Sequence, residues 1–131
     1  IERKVCMSFS QRSQKKLEGV HPDLVAVVAL AREECSIPFE ITDGVRTLEY
    51  QKSLVAKGAS KTMKSRHLTG HAVDVVATPD GNVSWDMEYY RIIAQAIKAA
   101  ADYLETPIVW GGDWKSFVDG PHFELSSSTY P

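Results

Sequence analysis

The chain has 131 residues, 44% apolar and 24% charged, which suits one soluble globular domain with a single core and leaves no room for a second. Its 15 basic and 17 acidic residues give a net charge of −2, so the basic footprint that nucleic-acid binding needs is missing. A membrane helix is excluded too: no run of about 18 apolar residues exists, and the apolar-rich stretch from Leu24 to Ala31 is broken by Arg32-Glu33-Glu34.

The first six residues, Ile1 to Cys6, are expected to lie upstream of the domain, which then runs 7–131 with Met7 as a candidate natural start. They lead into polar Ser8 to Lys16 without an apolar segment, so no signal peptide is expected. The two cysteines, Cys6 and Cys35, are too few for a disulfide framework, and a bridge between them is neither required nor excluded.

In chain order, a short helix is expected from Ser10 to before Gly19. A second starts at His21-Pro22-Asp23, where proline fits a first turn and aspartate its positive end, and Leu24, Val27, Val28 and Ala31 repeat at helical spacing. Phe39-Glu40-Ile41-Thr42 alternates as a half-buried strand does, and Asp43-Gly44 closes it. Thr47 caps a helix that Gly58 stops, and a polar loop follows to Arg66. Lys57, Lys61, Lys64 and Arg66 form a loose basic cluster there, read as a solvated loop.

Ala72 to Ala77 is a strand with Ala72, Asp74 and Val76 on one face and Val73 and Val75 on the other. Asp80-Gly81-Asn82 turns the chain into the longest helix, Asp86 to about Glu105, capped by Ser84 or Asp86. Ile108 to Trp110 and His122 to Leu125 are the last strands, flanking a Gly-rich loop. The elements mix without regular βαβ alternation, which predicts an α+β domain: helices against one face of a small antiparallel sheet.

Two imidazoles and a carboxylate from separate segments are the ligand set of a hydrolytic zinc, which takes about three protein ligands at roughly 2.0–2.2 Å and leaves a position open. His67, Asp74 and His122 meet that count. Gly70 lets the chain turn so that His67 and Asp74 converge, and pairing of the last strand beside Asp74 would make His122 a cross-strand neighbour at about 5 Å.

Peptide hydrolysis also needs a group that takes a proton from water and gives it to the leaving amine. Asp119, held by Gly120-Pro121 three residues before His122, is the leading candidate, with Glu124 as its rival. Arg46 is the guanidinium best placed to face a developing oxyanion, an ordinary surface arginine being the alternative. Ser65 is expected to hydrogen-bond substrate rather than act as a nucleophile, because no Ser-His-Asp arrangement is evident. Asp113 and Trp114 are also expected to bind substrate, Asp113 otherwise orienting a ligand or serving a turn, and Trp85, Trp110 and Trp114 are expected in the core or the cleft walls. His21 is expected to cap or flank a helix, and His71 to point away from Asp74.

The pattern S-x-H-x-x-G-x-A-x-D, met by Ser65, His67, Gly70, Ala72 and Asp74, resembles the first metal motif of the D-alanyl-D-alanine carboxypeptidase and L-alanyl-D-glutamate endopeptidase family of zinc peptidases. Trp110-Gly111-Gly112-Asp113-Trp114 and Asp119-Gly120-Pro121-His122-Phe123-Glu124 resemble the closing block of its phage endolysin branch, and Gly44-Val45-Arg46-Thr47 belongs to the same likeness. Pro121 departs from the small residue frequent there.

The resemblance implies zinc on His67, Asp74 and His122, Asp119 as general acid/base, and Arg46 positioning or polarising the scissile carbonyl. It also implies the fold shared with the hedgehog signalling domain, and hydrolysis of the L-Ala-D-Glu bond in peptidoglycan stem peptides. A D-Ala-D-Ala carboxypeptidase and a non-catalytic domain binding zinc or cell-wall peptide are the alternatives. Such an enzyme is expected to be a monomer, made in the host cytoplasm and acting in the periplasm after another protein releases it.

Overall fold

The computed structural model describes residues 8–60, 62–116 and 118–131. The expectations for Ile1 to Met7, including any partner role of Cys6, and for Lys61 lie outside the described residues.

Each helix begins where a side chain can accept an otherwise unpaired N–H. Ser10 caps α1 (Gln11–Lys16), and His21 caps α2 (Pro22–Glu34) through Nδ1, 3.1 Å from the Asp23 N–H. Thr47 caps α3 (Leu48–Ala56), and Asp86 rather than Ser84 caps α4 (Met87–Tyr103). Two short 3₁₀ turns, Arg66–Thr69 and Gly111–Asp113, occupy stretches expected to be loop.

Strands β1 (Phe39–Asp43), β2 (Ala72–Ala77), β3 (Ile108–Trp110) and β4 (His122–Leu125) form one antiparallel sheet in the order β1-β2-β4-β3. Its two faces do different work. Phe39, Ile41, Val73, Val75, Phe123 and Leu125 point to one side, where α2 supplies Leu24, Val27 and Val28 and α4 supplies Tyr90, Ile93 and Ile97. Burying each such large apolar side chain contributes about 1.5–3 kcal/mol. The fold is the expected α+β class.

The opposite face carries the polar residues. Asp74 pairs directly with His122, and Ala72 with Glu124, so Asp74, His122 and Glu124 share that face. In β1 the register shifts between Ile41 and Asp43, which sets Asp43 opposite Asp74. Strict alternation would have turned Asp43 toward the core; the bulge turns it toward Asp74 instead.

The tryptophans divide. Trp110 is buried, its indole N–H donating to Gly120 O at 2.7 Å. Trp85, expected in the core or a cleft wall, is instead 67% exposed and stacked on Tyr90.

Candidate metal centre and active-site cleft

His67 lies in the 3₁₀ turn that Ser65 caps and Gly70 ends. Gly70 has φ +75°, and a Cβ there would come within 2.5 Å of Gly19 O, so both conformation and space demand glycine. The buried His67 ring sets Nδ1 2.8 Å from Gly44 O. A carbonyl only accepts, so Nδ1 carries the proton and Nε2 keeps its lone pair. Although buried, that Nε2 has no hydrogen-bond partner, and neither has Asp74 Oδ1. Buried polar atoms are rarely left so, and both aim at one point.

His122 completes the group. Its Nδ1 is 3.3 Å from Asp74 Oδ1, and His67 Nε2 is 3.4 Å from Asp74 Oδ2. Ligand atoms arranged tetrahedrally at about 2.1 Å from one ion stand roughly 3.4 Å apart, so the spacing and the donor set both suit a metal cation. The three residues can therefore hold a metal ion. Sequence reasoning also foresaw the cross-strand relation of Asp74 and His122.

Proximity sets the charges here. Burial opposes ionisation of Asp74, but the imidazoles of His122 and His67 outweigh it and hold the carboxyl well below the usual carboxylate range. Burial likewise opposes protonation of His122, yet Asp74 and Glu124 push it up to about 9. Glu124 Oε1 meets His122 Nε2 at 2.9 Å, which orients the ring; this carboxylate, the rival for proton transfer, is already engaged.

Arg46, just beyond β1, spreads its guanidinium over three acceptors. Nε donates to Asp43, Nη1 to Gln51 Oε1 at 3.1 Å and Nη2 to Asp74 Oδ2 at 2.9 Å. Three of the five N–H groups are thereby used and two remain for a ligand. Sequence reasoning missed Asp43 and Gln51 as supports. Gln51 is the one fully buried residue of α3, and its Nε2 donates to Ser60 Oγ and Thr62 O, tying the polar loop to Arg46.

Asp119 stands beside the three residues without joining them. Its backbone N–H donates to Gly111 O at 3.0 Å, and a Cβ on Gly111 would fall 2.3 Å from Asp119 O, so this glycine lets the two segments touch. Burial, then the Asp74 charge, raises the Asp119 pKa.

Asp119 lines a cleft of about 180 Å³ with Arg46, Lys64, Ser65, Arg66, His67, Trp114, His122 and Glu124. The Trp114 ring is 5.0 Å from that of His122, as a cleft wall would be. Ser65 also lines the cleft, but its oxygen accepts the His67 N–H at 3.2 Å, so its structural task is the cap. Asp113 is not brought to the cleft: it faces away and pairs with Lys98 at 2.7 Å. The expectation that Asp113 binds substrate therefore gives way to a surface ion pair between the Gly111–Asp113 turn and α4.

Residues 5–126 match the family described as phage L-alanyl-D-glutamate peptidase. The chain belongs to that family. It is similar to the L-alanyl-D-glutamate peptidase of Escherichia phage T5, 32% identical over 126 residues that cover 93% of this chain and 91% of the relative. It is also similar to an L-alanyl-D-glutamate peptidase of Listeria phage A118, 38% identical over 75% of this chain but only 34% of that longer protein. Among solved structures, the Serratia marcescens L-Ala D-Glu endopeptidase ChiX superposes with a TM-score of 0.89 at 46% identity, covering 98% of each chain. Among the described residues no helix is long and apolar enough to cross a membrane.

Proposed function

We propose that the protein is a zinc-dependent peptidoglycan endopeptidase that hydrolyses the L-Ala-D-Glu bond of stem peptides. One observation carries the reading: the two buried atoms without partners, His67 Nε2 and Asp74 Oδ1, converge with His122 beside the cleft that Asp119 lines. The family, and the activity for which its relatives here are named, supply the bond that is cut.

On this reading His67, Asp74 and His122 hold the ion, and zinc, when bound, supplies Lewis-acid polarisation. Asp119 takes a proton from the attacking water as its oxygen bonds to the L-Ala carbonyl carbon. The same carboxyl delivers that proton to the D-Glu nitrogen as the C–N bond breaks, and the second proton of the water passes from the new carboxylic acid to the amine, so the products are a carboxylate and an ammonium. The raised pKa of Asp119 suits a group that must both accept and give. The two unused N–H groups of Arg46 face the developing charge on the carbonyl oxygen. Trp114 and Ser65 line the cleft where the peptide lies.

We read the enzyme as a monomer. The enzyme would be made in the host cytoplasm and meet peptidoglycan in the periplasm once another protein has opened the way.

The test is digestion of purified Gram-negative peptidoglycan by the zinc-loaded protein, with a chelated control and mass spectrometry of the released fragments. Chelator-sensitive release of peptides beginning at D-Glu is expected. Loss of a terminal D-Ala alone would transfer the protein to the carboxypeptidases, and no cleavage with zinc bound would leave a binding domain.

A further inference from the structure

We infer that Lys64 is the residue that recognises the carboxylate which the D-Glu unit of the substrate keeps beside the scissile bond; the inference rests on the peptidase reading above. Glutamate has two carboxyl groups, and the peptide continues through only one. The other stays on the residue whose nitrogen is released, within a few bonds of the reacting carbon, so the substrate carries a negative charge into the cleft.

That charge meets a lining of both signs. Asp119 and Glu124 line the cleft, and Asp74 lies beneath it. The described lining includes three cationic side chains, Arg46, Lys64 and Arg66. Arg46 is spread over Asp43, Gln51 and Asp74. Arg66 is tied to the C-terminal segment, its Nη2 donating to Leu125 O and Tyr130 O, with Nε 3.8 Å from Glu124.

Lys64 differs from both. The ion pairs among the described residues engage Arg32, Arg46, Arg66, Arg91, Lys98 and two imidazoles, and Lys64 takes part in none of them. Lys64 is an exposed residue that lines the cleft, and its position is built. The Lys64 N–H donates to Thr62 Oγ1 at 3.0 Å, while buried Gln51 holds Thr62 O and Ser60 Oγ. The side chain that anchors Arg46 thus also fixes the loop presenting Lys64. A compact ammonium with three rotatable donors suits a carboxylate that approaches from solvent.

The experiment compares two synthetic stem peptides, one with the D-Glu carboxylate free and one with it as the carboxamide. Wild-type zinc-loaded protein is expected to favour the acid by about fivefold in kcat/KM, the scale of a partly solvated ion pair. Lys64→Gln should bring the acid-to-amide ratio to near one, through KM rather than kcat, and Lys64→Arg should restore it. A ratio unchanged in Lys64→Gln would overturn the inference. So would an equal loss on both peptides, which marks a merely structural role.

The same pair, made with a non-hydrolysable link at the scissile bond, is titrated into both proteins. Lys64-dependent preference in binding without any cleavage of the natural peptides would uphold Lys64 and sink the peptidase reading. Cleavage of both peptides without preference would do the reverse.

Discussion

Glu124 Oε1 meets His122 Nε2 at 2.9 Å, and because the two residues are two apart on β4 they face the same side of the sheet. The contact leaves Nδ1 of His122 aimed at Asp74 and fixes which nitrogen can reach a metal. Replacing Glu124 with Gln should weaken metal binding by about 10- to 100-fold while the fold persists. Titration of zinc against a competing chelator measures this, and unchanged affinity would reduce Glu124 to a surface role.

The His122 pKa of about 9 makes metal uptake a proton-releasing event, because a ligating imidazole must be neutral. Affinity should climb about tenfold per pH unit below 9 and level off above it. Calorimetry in buffers of different ionisation enthalpy counts the protons released at pH 7, and close to one is expected from His122. Without metal the sign reverses. A histidine whose folded pKa is raised stabilises the fold fully below its unfolded value of 6.5, and that stability is lost as pH rises through about 9. The metal-free protein should lose up to roughly 3 kcal/mol over that window, and chelated samples melted at several pH values would show it.

Asp119→Ala should lower kcat by about 10²- to 10⁴-fold with zinc still bound, since Asp119 stands beside the ligand group without belonging to it. Metal content and hydrolysis are to be measured on the same sample. Full activity in this variant removes Asp119 from proton transfer.

Gln51→Ala strips Arg46, Ser60 and Thr62 of one partner each at a partly buried site. A loss of about 1–3 kcal/mol in urea unfolding is expected, together with slower hydrolysis as Arg46 loosens. Stability unchanged from wild type would mean that water replaces the amide.

Gly70→Ala should destabilise the protein and weaken zinc binding together, because the added Cβ meets Gly19 O at 2.5 Å just beyond the turn that carries His67. At least 1 kcal/mol is expected, visible as a melting point lower by several degrees. A lower melting point with intact zinc affinity would separate the turn from the metal centre.

Much of this was legible because it is written in local chemistry. Caps at Ser10, His21, Thr47 and Asp86 announce their helices, and a period of two in Ala72 to Ala77 separates Asp74 from the core-facing valines. The convergence of His67, Asp74 and His122 follows from residue types and one strand pairing. What stayed hidden depends on geometry that no spacing reports. The bulge after Ile41 reverses the side on which Asp43 falls, and Gln51 looks like one polar residue among several on an exposed helix until the loop folds over it. Asp113 misled because its neighbour Trp114 does reach the cleft, whereas the short 3₁₀ turn sends Asp113 outward to Lys98.

The register that sets Asp74 against His122 also makes the metal an inspector of folding. Were β4 to slip by one residue along β2, Phe123 would face outward beside Asp74 and His122 would turn into the core. A chain misassembled in this way has no place for an ion, whereas a correctly paired one gains the ion and is held in step by it. Correct strand pairing and the capacity to hold a metal ion thus arrive in one step.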